Sequence, residues 1–351
     1  MATTFKTITA NDTTNTRTLL HEAIPLTGTI ASGTYSDENI KTFSHGMFES
    51  VYDYPYLSSS ANHIFDITHG YSANSTLSSS AAIQNAKKIN IYNQMAAVLV
   101  GHDATGSIQA FDQDGDIAGG GTKSEEVFFF NFSRLLTKDE IKKDSFRLTL
   151  ATGSVSGDLK GFPLTLGDYG AASSYLVNSP AGEYGVLYTS SATPDPASGV
   201  GLIYYQAGVA VVSASVFNGT MPGAEATASI LGPGYNSSSY SNLATGSSIQ
   251  VLADSIRDRI DNITFNNTVE LNSTVYFCRA NNNEFNYSSN PTYLSSSQIR
   301  VKNTTSDNPV SYITTVGLYS SDNELLAVAK LSEPLKKDPN TELTIRVRLD
   351  Y

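Results

Sequence analysis

Tryptophan is absent from this chain of 351 residues, and cysteine occurs once, at Cys278. A lone cysteine excludes an intrachain disulfide. Its place in the strand-like run 275–280 marks it as a small buried hydrophobe rather than a reactive thiol. Charge is scarce too, at 16% of residues, and basic charge scarcest: 22 Lys and Arg face 33 Asp and Glu, for a formal net charge of −11. Binding to phosphates needs clustered Lys and Arg, so nucleic acid is not expected as the main partner. No run of 18 apolar residues occurs, so no helical membrane span is expected. Residues 1–6 carry no apolar core, so no secretory signal is expected.

Catalytic and metal motifs fail on spacing. His63, Asp66 and His69 form the one His/Asp cluster. On a strand, His63 and His69 share a face but stand ~20 Å apart. On a helix, a six-residue offset puts them on opposite faces. Neither geometry converges on a metal. Asp112, Asp114 and Asp116 resemble the start of a calcium loop. Ile117, however, stands where an EF-hand needs Gly, and Lys123 where it needs Glu, so a turn is expected. The run 119–124 lacks P-loop spacing. Val155 fills the serine position of a nucleophile elbow in 153–157. Glu125 and Glu126 point to opposite faces of a strand, which makes no acid/base pair. No catalytic residue, cofactor or metal site is therefore expected, and enzymatic activity has no support in the sequence.

What the chain does hold is Asn, Ser, Thr and Gly in abundance, with 20 Tyr and 15 Phe. That mixture fits β-structure with long polar loops and Tyr-lined contact surfaces. The expected fold is mainly β (α+β), with antiparallel, sandwich-like sheets and two substantial helices. One helix, about 81–100, has Ala82, Ala86, Ile89, Ala96 and Leu99 at helical spacing, with Ser78, Ser79 or Ser80 as its cap and Gly101 past its end. The other, about 248–262, puts Ile249, Leu252, Ile256, Ile260 and Ile263 on one face. Thr137 and Glu140 fit a capping box that opens a short helix. Strands are expected at 127–132, 146–150, 185–189, 201–205, 209–217 and 269–280, with loops at 190–199 and 222–246.

The last strand, 343–351, alternates strictly. Leu343, Ile345, Val347, Leu349 and Tyr351 form its inner face, and Thr344, Arg346, Arg348 and Asp350 its outer one. Upstream, 313–319 and 324–330 flank a four-residue turn as a hairpin, and Pro334 suits an exit segment. The polar stretch 4–18 reads as an extended arm that orders against a partner. Composition suggests three regions: an arm plus α+β part (1–150), a Gly/Ser/Tyr-rich β region (151–245), and a helix with a C-terminal sheet (246–351).

Four stretches carry a resemblance. They are Asn131 to Lys143, Asn283-Glu284-Phe285-Asn286-Tyr287-Ser288-Ser289-Asn290-Pro291-Thr292-Tyr293, Tyr312-Ile313-Thr314-Thr315-Val316-Gly317-Leu318-Tyr319, and Glu324 to Lys337. They resemble virion structural proteins of marine T4-like contractile-tailed phages, of the cyanophage type. The resemblance implies a non-enzymatic virion component of the tail, baseplate or neck, assembled in the host cytoplasm. Its partners would be other copies of itself and neighbouring virion proteins, and no catalytic residues come with it. The residues leave a second reading open: a receptor- or carbohydrate-binding module of a tail fibre or spike, with exposed tyrosines stacking on sugars. Interface candidates are the aromatic cluster of Tyr52, Tyr54 and Tyr56, and the pair Arg346 and Arg348, ~7 Å apart on the last strand.

Overall fold

The computed structural model describes residues 5–26, 37–117, 120–151, 163–189, 198–217, 230–231, 237–238, 240–257, 259–288, 294–295, 298–299, 306 and 308–351. The run 153–157, the loop residues 190–197, most of 222–239 and residues 289–293 of one resembling stretch lie outside the described residues. Strands hold 45% of the chain and helices 18%, so the fold is mainly β, and its sheets are antiparallel. The chain divides into two units, residues 20–269 and residues 1–19 with 270–351. The compositional boundaries at 150 and 245 both fall inside the larger unit.

Strand β1 (Thr13–Leu26) runs into the larger unit. There follow β2 (Ile40–Thr42), β3 (Glu49–Tyr52), β4 (His63–Tyr71), helix α1 (Asn85–Leu99), β5 (Glu126–Phe132), α2 (Arg134–Thr137), β6 (Glu140–Ile141), β7 (Arg147–Ala151) and β8 (Pro163–Gly167). Next come α3 (Ala171–Ser174), β9 (Leu176–Ser179), β10 (Gly182–Leu187), β11 (Gly201–Tyr204), β12 (Val209–Ser213), the short pair β13 (Ile230–Leu231) and β14 (Ser237–Ser238), α4 (Tyr240–Gly246), α5 (Ile249–Arg257) and β15 (Ile260–Ala280).

Eight of these strands form one antiparallel sheet in the order β2-β3-β4-β5-β12-β11-β10-β9. Its central strand β5 is apolar on both sides because both faces are covered. Val127 and Phe129 pack with Ile91, Tyr92, Ala96 and Leu99 of α1. Phe128, Phe130 and Phe132 pack with Leu252 and Ile256 of α5 and with Leu148, Leu166, Ile263 and Phe265. Those last four belong to a second layer of β8, β7 and the start of β15. The sandwich-like expectation is met here. Helix α1 lies close on β4 because position 70 is glycine: an added Cβ would stand 2.9 Å from Lys88 O and Tyr92 N.

Helix boundaries depart from the sequence reading for local reasons. Helix α1 opens at Asn85, after Gln84 in the left-handed conformation (φ 55°). The serines ahead of it turn their hydroxyls onto nearby N–H groups, Ser75 to Leu77 and Ser79 to Ala81, and so hold turns instead of a cap. Helix α5 stops at Arg257, and Ile260 and Ile263 belong to β15. Their helix-like spacing comes from a bulge. Ile260 pairs with Leu150 and Ile263 with Leu148, with one extra residue between, so both reach the same face. The short helix expected from Thr137 onward lies earlier, at α2; Lys138 (φ 55°) ends it and Glu140 enters β6. The strand expected over 209–217 ends at Ser213 and finishes as a 3-10 turn, Ala214–Phe217.

The smaller unit adds the short pair β16 (Leu294–Ser295) and β17 (Gln298–Ile299), then β18 (Ser311–Tyr319), β19 (Leu325–Lys337) and β20 (Leu343–Asp350). The second half of β15 pairs with β20 in unbroken register, from Ser273↔Asp350 to Ala280↔Leu343. The alternation of β20 holds, with Val347 buried, Leu343, Ile345 and Leu349 half-buried, and the polar positions exposed. Tyr351, expected inside, is exposed. β18 and β19 form a two-stranded ribbon of their own. The segment expected as an exit continues β19 to Lys337. Ile313 pairs with Leu335 and Thr315 with Lys330, so Leu331, Ser332, Glu333 and Pro334 oppose Thr314 alone. Proline has no ladder donor and sits where the ladder is already interrupted.

Candidate functional site

The β18–β19 ribbon presents an open apolar surface in the smaller unit. Its register puts Ile313, Thr315, Gly317 and Tyr319 on one face with Leu335, Lys330, Val328 and Leu325. The Tyr319 ring lies over Gly317, where an added Cβ would meet it at 2.9 Å. Phe5 meets Tyr319 edge-on at 4.9 Å. Tyr319 is 45% exposed, Leu325 and Val328 52% each. On the other face Leu318 is buried, Ala327 and Ala329 are half-buried, and Tyr312 is open. Among the described residues, polar contacts tie down the base of the ribbon. Ser311 Oγ donates to Phe285 O, and Lys337 Nζ donates to Asn286 Oδ1 (2.6 Å), Asp338 O (2.9 Å) and Asn282 O (3.2 Å). A lone two-stranded ribbon is marginal in water, and an open apolar patch of this kind marks an interaction site.

The tyrosine cluster sits where β3 meets β4. A bulge at Ile64 lets Val51 pair with Phe65 and Tyr52 with His63. His63 therefore shares a face with Tyr52, Ser50 and Asp66, which unbroken alternation would deny it. His63 Nε2 lies 2.8 Å from Asp66 Oδ1, and Ser50 Oγ donates to the same oxygen at 2.5 Å. Burial pushes the Asp66 carboxyl up, but hydrogen bonds from His63, Ser50 and Asn131 outweigh it and leave the group below its usual range. Tyr52 stacks edge-on against His63 (5.5 Å) and lies 6.4 Å from Tyr56. Tyr54 is 58% exposed and Tyr56 is also open. Among the described residues no group of three or more His, Cys, Asp and Glu is placed to hold a metal ion.

His69, the third member of the sequence cluster, goes elsewhere. It is fully buried, with Nε2 2.8 Å from Tyr240 Oη and the ring edge-on to Phe128. Among the described residues its Nδ1 has no hydrogen-bond partner. Burial first, and the nearby Lys88 charge second, hold its pKa down to about 3, so the ring is neutral. Lys88 is buried too, and its ammonium donates to the carbonyls of Ala244 (2.7 Å), Ile83 and Ser247 (2.8 Å each). That geometry ties α1 to the end of α4 and to Ser247, which follows it. Asp112 pairs with Lys123, while the N–H groups of Asp114 and Asp116 are taken by Asp112 and Asp114. This is the turn the sequence suggested.

The two arginines of the last strand differ. Arg348 is engaged within its own sheet: Nε lies 2.7 Å from Asp350 Oδ1, and Nη2 donates to Ser273 Oγ at 3.0 Å. Arg346 is exposed opposite Phe277. The arm is no free tail either. Residues 13–18 are part of β1, which lies beside β15. Arg17 pairs with Glu270, Arg279 Nε stands 3.0 Å from Asp12, and Thr274 Oγ1 donates to Asn15 at 2.8 Å. The sequence signal for this strand was the threonine-rich, β-prone run from Thr13. Comparison with protein-family models, with curated proteins and with solved structures finds no match.

Proposed function

We propose that the chain is a non-enzymatic structural component of a tailed-phage virion, in the tail, baseplate or neck. It works by burying surface against other copies of itself and against neighbouring virion proteins. The observation that carries this reading is the β18–β19 ribbon, a two-stranded element with Tyr319, Leu325 and Val328 open on one face. A chain working alone gains nothing from that exposure; a chain in a particle gains buried area. Two of the four stretches that resemble virion structural proteins, 312–319 and 324–337, are the two strands of this ribbon. The net charge of −11 disfavours nucleic acid as the main partner. The test is a whole-virion map with mass spectrometry of purified particles from the phage encoding the chain. Several copies per particle with the ribbon covered are expected, and absence of the chain from particles overturns the reading.

A second reading is favoured by the exposed Tyr54 and Tyr56, the latter 6.4 Å from Tyr52, whose ring meets the hydrogen-bonded His63. Exposed rings next to fixed polar groups suit a sugar-binding surface. Glycan-array binding that Tyr54→Ala and Tyr56→Ala abolish would shift the assignment to a receptor-binding module.

A further inference from the structure

The two edges of the ribbon are unlike each other. β19 carries the usual defences of an unpaired strand: Lys330, Glu333, Pro334 and Lys336, together with the four-residue bulge opposite Thr314. Charges, proline and bulges on an edge keep another chain from adding to the ladder. β18 has none of these. Its nine residues, Ser-Tyr-Ile-Thr-Thr-Val-Gly-Leu-Tyr, contain no charge and no proline. Among the described residues, β18 pairs with β19 alone. A long, neutral, β-prone edge is a template for a further strand.

We infer that the free edge of β18 pairs antiparallel with β18 of a second copy, about a two-fold axis at Thr315. The two ribbons then form one four-stranded sheet, β19-β18-β18-β19. This identification of the partner rests on the reading of the ribbon as an interface. Size and charge single out a second copy as the occupant. With the axis at Thr315, Ser311 faces Tyr319 of the other copy, Ile313 faces Gly317, and Thr315 faces Thr315, so on that face each large side chain meets a small one. On the opposite face Tyr312 meets Leu318 and Thr314 meets Val316, an aromatic–aliphatic and a β-branched pair of the kind that stabilise sheets. No like charges are brought together, because the strand has none. An isologous pairing of this kind closes at two copies and leaves the guarded β19 edges outermost, so it does not run on into a fibre.

The test uses the full chain and the exposed residue at the axis. Sedimentation equilibrium of the wild type should show a monomer–dimer equilibrium over ~1–100 μM. Thr315→Lys and Thr315→Glu each set like charges against each other across the ladder and should weaken dimerisation by at least ~10-fold. Thr315 is exposed but faces Lys330 across the ribbon, so Thr315→Glu should keep the wild-type circular dichroism and Tm, and the effect of Thr315→Lys counts only where circular dichroism shows the ribbon intact. An equimolar mixture of the two variants should restore the dimer at low salt and lose it as salt rises. A wild type that stays monomeric throughout overturns the inference. So does a dimer that neither variant weakens, or a mixture that fails to re-form it. A dimer lost in Val328→Lys but kept in both Thr315 variants would mean that ribbon faces stack, and also overturns edge pairing. A monomeric chain that still enters virions refutes the self-pairing and leaves the virion reading standing. A dimer broken by Thr315→Lys, from a chain absent from virions, supports the pairing and refutes that reading.

Discussion

His69 makes the larger unit sensitive to acid in a way that one substitution isolates. The ring is buried among Phe128, Tyr71 and Tyr240, and its pKa is held to about 3, against 6.5 for a free histidine. A depressed folded pKa means that the unfolded chain takes the proton first. The contribution to stability is complete above pH 6.5 and drains away as pH falls from there toward 3. Between neutral pH and 4.5 the loss from this one group is about 3 kcal/mol, roughly two tenfold steps in the unfolding equilibrium. Carboxylates titrate in the same window, so the measurement is a difference. Tyr240→Phe serves as the background, since it spares Tyr240 an orphaned hydroxyl once the histidine is gone. Urea unfolding of Tyr240→Phe, and of the same chain with His69→Phe, is followed at pH 7.5 and 4.5 through hydrogen exchange of the β4 and β5 amides. The double variant should lose about 3 kcal/mol less than the single one over that interval. Losses equal to within about 0.5 kcal/mol would refute the claim that a neutral buried imidazole sets the acid limit.

Lys88→Met leaves the carbonyls of Ile83, Ala244 and Ser247 without their donor and should cost about 3 kcal/mol or more, read from the urea midpoint. Gly70→Ala drives a Cβ to 2.9 Å from the backbone of α1 and should lower stability by about 1–3 kcal/mol, seen as a reduced calorimetric Tm. Removing residues 1–19 strips Asp12, Asn15 and Arg17 from β15. The 270–280 amides should then lose hydrogen-exchange protection and the chain should aggregate, whereas a free arm would leave both unchanged.

Strict alternation was legible in β20, where burial of one face dictates the pattern. β5, covered on both faces, was legible from its run of aromatics, and the β18–β19 hairpin from two apolar runs about a polar turn. Bulges were not legible. Near Ile260, an extra residue turns a period of two into an i,i+3 spacing, and the result looks like the continuation of helix α5. At Ile64 the same device carries His63 round to Asp66, which regular strand geometry forbids. β1 was missed because its partner β15 lies far along the chain and local composition cannot register that pairing. Of the candidate site, the exposure of Tyr54 and Tyr56 matched expectation. Arg348 did not act as a free charge, since Asp350, two residues on and on the same face, takes it up. The open face of the ribbon could not be chosen in advance, because alternation shows that a strand has two faces without telling which one the rest of the chain covers.

The pairing of β1 with β15 also sets a timetable. A ribosome delivers β1 first, and β15 follows only after roughly 230 further residues, a wait of ~10–50 s at ordinary translation speed. For that interval β1 is a strand without a sheet, tethered to a nascent chain whose intervening segments are already able to collapse. Arg17, His21 and Glu22, spaced along it, supply the polarity that keeps such a waiting strand from joining the wrong edge. β1 thus waits for a partner that is made long after it, and residues 12–17 find Glu270, Thr274 and Arg279 only when that stretch of β15 has left the tunnel.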